Sequence, residues 1–142
     1  MRVSLLLIFL SAVLADDQFT FDVSFVCNYN LREKFNYNVQ FFDKDSYISA
    51  DDPITTPHIG FGSPGETYFT MFGSQHADEI FSDAYNPYMR LYHDCTEYQT
   101  EEEVYLILPV CIIGKGRCHY SIRKDIKELT GTSTYNADLK YD

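Results

Sequence analysis

Tryptophan is absent from this chain of 142 residues, so the aromatic share of any core falls to 12 Tyr and 11 Phe. Basic residues are scarce: 11 Lys and Arg stand against 21 Asp and Glu, a net charge of −10. Such a chain repels phosphate backbones and anionic lipid surfaces unless a cation bridges them, which argues against nucleic acid as a partner. No Asn-x-Ser/Thr sequon occurs, since the Asn residues at 28, 30, 36, 38, 86 and 136 all fail the pattern. Solubility is therefore expected from charge rather than N-linked glycan. No solenoid-length repeat, low-complexity tract or Gly-x-Ser-x-Gly elbow is present.

Long apolar runs are also lacking, with one exception. The opening MRVSLLLIFLSAVLA has Arg2, an apolar stretch from Val3 to Leu10 broken only by Ser4, and small residues at Val13 and Ala15. This is the pattern of a secretory signal peptide over 1–15, cut after Ala15, and it is too short to span a bilayer. The expected mature domain is 16–142, not membrane-spanning and addressed to the extracellular space. Its length suffices for one domain with its own core.

Cys27, Cys95, Cys111 and Cys118 all lie in that mature segment. An even count in an exported domain implies two disulfides, with three possible connectivities. A two-residue hairpin loop at Gly114 and Lys115 would set Cys111 opposite Cys118 and leave Cys27 with Cys95; the other pairings stay open. The Cys spacings and the adjacent Cys118 and His119 fit no common zinc pattern.

Alternation with period two marks the strands. In 19–27, Phe19, Phe21, Val23, Phe25 and Cys27 share one face. Further strands are predicted over 37–43, 67–72, 88–94, 103–109 and 118–122, with a last one within 134–141. Helical turns are predicted over 74–85 and 122–129. The segment 50–65, crowded with Pro, Gly and Thr, reads as a long loop holding one short edge strand. Such spacing argues for an all-β sandwich of about seven short strands.

Several motifs carry candidate chemistry. Gly60, Gly62 and Gly65 match G-x-G-x-x-G, but no helix follows, so a glycine-rich turn is expected rather than a dinucleotide site. Asp43, Asp45, Asp51 and Asp52 form an acidic cluster that is a candidate calcium site, although the EF-hand glycine and terminal Glu are missing. His58, His76, His93 and His119 are scattered, and no pair has helical zinc spacing. His93 and Asp94 beside Cys95 suggest an activated thiol, but an exported cysteine is expected in a disulfide. His93 is expected at a strand end, bonded to a backbone carbonyl. Glu101, Glu102 and Glu103 read as the solvated edge of a hairpin. No nucleophile, base and orienter converge, so no enzymatic activity and no cofactor are expected.

The block Pro87-Tyr88-Met89-Arg90-Leu91-Tyr92-His93-Asp94-Cys95 closely resembles the P-x-L-x-I-Y-H-[ND]-C signature of the nematode transthyretin-like family of secreted proteins. Cys27-Asn28, the stretch 39–54 and Phe69-Thr70-Met71-Phe72-Gly73-Ser74 resemble other family pieces in the expected order, so the likeness covers roughly 19–116. The chain departs from the family pattern at 28–38, which is longer and lacks Gly and Pro, and at Gly65, which is displaced. The family's cysteine shortly after the block is also missing; Glu101 to Glu103 stand about where it would be. The resemblance implies a transthyretin-like β-sandwich, secretion, and no known enzymatic activity. Related hydrolases end in Y-R-G-S; this chain ends Leu139-Lys140-Tyr141-Asp142. The expected function is a non-enzymatic extracellular binding protein that carries a small apolar molecule or lipid in a cleft lined by Phe and Tyr. The alternative is an extracellular adaptor bridging proteins or cell surfaces, with calcium assisting.

Overall fold

The computed structural model describes residues 16–45, 50–76 and 82–142. The signal peptide expected over 1–15 lies outside them. The described chain is all-β, with twelve strands: β1 (Asp17–Cys27), β2 (Phe35–Asp43), β3 (Asp52–Pro53), β4 (His58–Gly62), β5 (Gly65–Gln75), β6 (Ala84–Tyr85), β7 (Pro87–His93), β8 (Glu102–Ile107), β9 (Cys111–Ile112), β10 (Cys118–Asp125), β11 (Gly131–Thr134) and β12 (Asp138–Tyr141). The seven predicted strands correspond to β1, β2, β5, β7, β8, β10 and β12; the other five are short, and two of them, β3 and β4, lie in 50–65, where the sequence predicts one edge strand.

Sheet I runs β12-β10-β1-β5 and is antiparallel except for the β1–β10 junction. Sheet II runs β11-β8-β7-β2-β3, with β4 also on β2 and a parallel β8–β11 junction. The small β6–β9 pair stands apart. One apolar cluster joins the two main sheets. Phe21 of sheet I stacks on Phe41 of sheet II with ring centroids 3.7 Å apart, and Tyr120 lies 5.4 Å from Phe21. Phe19, Phe21, Phe25, Phe35 and Phe41 are all sealed from solvent. Each such ring contributes about 1.5–3 kcal/mol by leaving water.

Among the described residues there is no helix, and none long and apolar enough to cross a membrane. The turn expected over 122–129 is instead strand β10 as far as Asp125, followed by a tight turn at Lys127 and Glu128. Cys118, Tyr120 and Ile122 alternate inward, and eight register pairs with β1, from Phe19–Cys118 to Val26–Asp125, supply a ladder that a helix would forgo. Over 74–85, Ser74 and Gln75 end β5 and Ala84 and Tyr85 form β6; 77–81 lie outside the described residues.

The expected loop at 50–65 holds two edge strands, β3 and β4, both on β2. The G-x-G-x-x-G glycines are therefore not one turn. Gly60 and Gly62 sit within β4, where a Cβ would come 2.6 Å from the Tyr37 hydroxyl and 2.3 Å from Thr67 Oγ1, so any side chain there would force Tyr37, Thr67 or Phe35 to move. Gly65, with φ +105°, opens β5.

Both disulfides follow the pairing that local geometry suggested, Cys27–Cys95 and Cys111–Cys118, with Cα atoms 6.0 and 6.1 Å apart. They suit an oxidising, extracellular environment. The two-residue hairpin is not what brings Cys111 to Cys118, however. β9 pairs with β6 while β10 lies between β1 and β12, so this bond fastens the small ribbon to sheet I.

Candidate functional site

Strand β7 carries Pro87 to His93 of the block that ends at Cys95, and its alternation splits these residues into two sets. Pro87, Met89, Leu91 and His93 point inward and are buried; Tyr88, Arg90 and Tyr92 point outward and are half-buried. β7 lies between β2 and β8, so both sets are fixed by ladders on either side.

The inward set ends in a clasp. His93 is 1% exposed; its Nε2–H donates to the Leu129 carbonyl at 2.8 Å, and its Nδ1 accepts the Cys95 amide at 3.1 Å. Burial pushes its pKa down, so it is held neutral. Asp94 accepts the backbone and side-chain amides of Asn36, each at 2.7 Å. Arg32 donates to the carbonyls of Asp94 at 2.7 Å, Glu97 at 3.0 Å, and Thr96. Glu128 binds the Cys95 carbonyl through its amide at 2.9 Å and accepts from the Tyr29 hydroxyl. With Cys95 in a disulfide and both ring nitrogens of His93 engaged by backbone, these three residues do not form a nucleophile and its base.

The outward set opens a different surface. Register places Tyr88, Arg90 and Tyr92 beside Phe42, Gln40 and Asn38 of β2 and beside Ile107, Tyr105 and Glu103 of β8. Beyond β2, Ile59 and Phe61 of β4 join the same face, 76% and 67% exposed. Phe42 stacks on Tyr88 at 5.5 Å, and Tyr88 leans toward Tyr105 at 6.0 Å. The Arg90 guanidinium lies over Phe42, 4.5 Å from its centroid. Glu103 Oε1 accepts from the hydroxyls of Tyr105 and of Tyr92, the latter at 2.7 Å. These bonds lower the Glu103 pKa and raise those of both tyrosines. Burial, then the hydrogen bond to Asp51, raises that of Tyr88.

The acidic cluster is spread along the end of β2. Asp43 faces Asp52 in the β2–β3 register and accepts the Asn86 amide at 2.7 Å. Asp51 accepts the Asp45 amide at 3.2 Å and the Tyr88 hydroxyl at 2.7 Å. Among the described residues no three His, Cys, Asp or Glu side chains gather to hold a metal ion. His58 stacks on Phe69 at 4.5 Å, His76 pairs with Asp16 at 2.6 Å, and His119 bridges Asp22 and Asp142 at 2.5 and 2.9 Å. Reading the run at 101–103 as mere solvated edge missed the bracket of tyrosines around Glu103. Period two along β7 and β8 marks their outward residues, but only the register makes them neighbours.

No protein-family model matches the chain, and no curated protein or solved structure does so either.

Proposed function

We propose that this chain is a secreted, non-enzymatic binding protein with a transthyretin-like β-sandwich, acting as an extracellular adaptor through the outer face of sheet II. One observation carries this reading. The inner aromatic rings are spent on a packed core, while Tyr88, Arg90, Tyr92, Tyr105, Ile59 and Phe61 share one outer face. Tyr and Arg are the residues that most often anchor protein interfaces. The leader at 1–15, the two disulfides and the resemblance through Pro87, Tyr92, His93, Asp94 and Cys95 support the address and the family. The labelled protein is expected to bind cells or extracellular matrix saturably. A folded Tyr92→Ser/Tyr105→Ser variant should lose that binding; undiminished binding by the variant would overturn the proposal.

A second reading keeps the carrier function but moves the ligand from a cleft to this surface. Ile59 and Phe61 give an apolar molecule or lipid chain somewhere to lie. A fluorescent fatty-acid probe that titrates to one site supports it; no response at saturation removes it. The calcium-assisted version, through Asp43, Asp45, Asp51 and Asp52, fails if calorimetry is silent at millimolar calcium.

A further inference from the structure

We propose that Tyr92, Glu103 and Tyr105 form a docking site for a basic segment of a partner protein, with a Lys or Arg side chain closing on Glu103 between the two rings. This names the partner for the adaptor reading and rests on it. The β7–β8 register sets Tyr92 directly opposite Glu103, and Tyr105 follows two residues along β8 on the same face. Both hydroxyls donate to Oε1, which fixes the carboxylate. Among the described residues Oε2 accepts no hydrogen bond, and no Lys or Arg nitrogen comes within 4.0 Å of the carboxylate. The face's own cation borders the place without closing on the carboxylate: Arg90 lies on Phe42 at 4.5 Å, reaches Gln40 Oε1 at 3.4 Å and sits 5.7 Å from the Tyr92 ring, so it acts on Glu103 through its charge and not through a hydrogen bond.

The site thus holds an ionised, oriented carboxylate with no cation hydrogen-bonded to it, flanked by two aromatic rings, on a chain of net charge −10. The electrostatic complement is a cation, and ring faces add to its attraction. The flat sheet face offers no enclosure for a small ion, whereas a protein segment brings its cation with apolar neighbours that can cover Ile107, 41% exposed.

The full, disulfide-bonded chain is titrated with a short peptide alternating lysine and glycine. Glu103→Gln is expected to weaken binding about tenfold, about 1.4 kcal/mol. Asp138→Asn removes the same charge from an exposed position on sheet I and is expected to leave affinity unchanged. Equal losses in both variants would show mere attraction to net charge and overturn the site. So would failure of the wild type to bind the peptide, even where Tyr92 and Tyr105 still govern cell-surface binding. Binding of a neutral oligosaccharide or a choline-headgroup vesicle that needs both tyrosines but ignores Glu103→Gln also overturns it, leaving the adaptor or carrier reading intact.

Discussion

The two outer faces of the sandwich solve one problem differently. On sheet I, Asp22 and Glu66 each have a cation among their partners, beside hydroxyls such as those of Tyr68 and Ser24. His119 donates to Asp22 and Asp142, Thr70 donates to Asp22 at 2.6 Å, and Arg123 meets Glu66 at 3.1 Å. On sheet II the central carboxylate, Glu103, is met by tyrosine hydroxyls and the central cation, Arg90, by an aromatic ring. The inward halves of both sheets obey the same demand for a dry core. The outward halves are free of it: both expose aromatic rings, Tyr68 and Phe72 on sheet I and Phe61 on sheet II, and they differ in that Asp22 and Glu66 of sheet I meet cations while Glu103 of sheet II meets hydroxyls.

The largest effect should strike both faces at once. The Cys27–Cys95 bond ties the end of β1 in sheet I to the end of β7 in sheet II across 68 residues. Chain entropy assigns it about 4 kcal/mol, against about 2 kcal/mol for Cys111–Cys118 with its separation of 7. Replacing each pair by alanine and comparing urea midpoints tests that ranking. Next in size, Met89→Ala should cost about 2–5 kcal/mol through the cavity it leaves. Arg90→Ala, one residue on, should cost under about 1 kcal/mol, because only ring packing and one long bond to Gln40 are lost. Similar losses would mean that the outward set is structural after all.

These magnitudes also explain what was readable in advance. Period two exposed β1, β2 and β7 because one face of each must be apolar. Cys27–Cys95 was reachable only by elimination, since sequence distance says nothing of the clasp formed by Arg32, Asp94 and Glu128. The stretch 122–129 misled because Ile122, Ile126 and Leu129 fit helical spacing, while the decisive β1 ladder is non-local. An edge strand within 50–65 was legible, but its position was obscured by Gly60 and Gly62, whose presence answers to Tyr37 and Thr67 rather than to strand propensity. The pairing of Tyr92 with Glu103 depends on register, which no local pattern states.

A smaller effect separates the faces by pH. The Asp22 bond, then Asp142, raises the His119 pKa above 6.5. Its stabilising contribution is therefore complete below 6.5 and fades as pH rises through the higher folded value. Burial alone would raise Asp22, but bonds from Thr70, His119 and Tyr68 lower it below 3.8, so its share persists above 3.8 and is lost as pH falls through the folded value. The stability difference between wild type and His119→Asn should hold from about pH 4 to 6.5 and shrink above it. A difference independent of pH up to 9 would mean that His119 is not the cation of sheet I.

The smallest effect bears on sheet II. Tyr92→Phe keeps the ring and removes one of the two donors to Glu103 Oε1. The Glu103 carboxyl should then titrate at a higher pH, though still below 4.5 because the Tyr105 bond, the larger cause, remains. Tyr105→Phe should move it further. Carboxyl chemical shifts followed by NMR read both variants. Folding stability should barely change, since Glu103 is exposed and either tyrosine can turn to water. If neither variant moves the titration, the tyrosines do not hold the carboxylate in solution, and sheet II loses the feature that distinguishes it from sheet I.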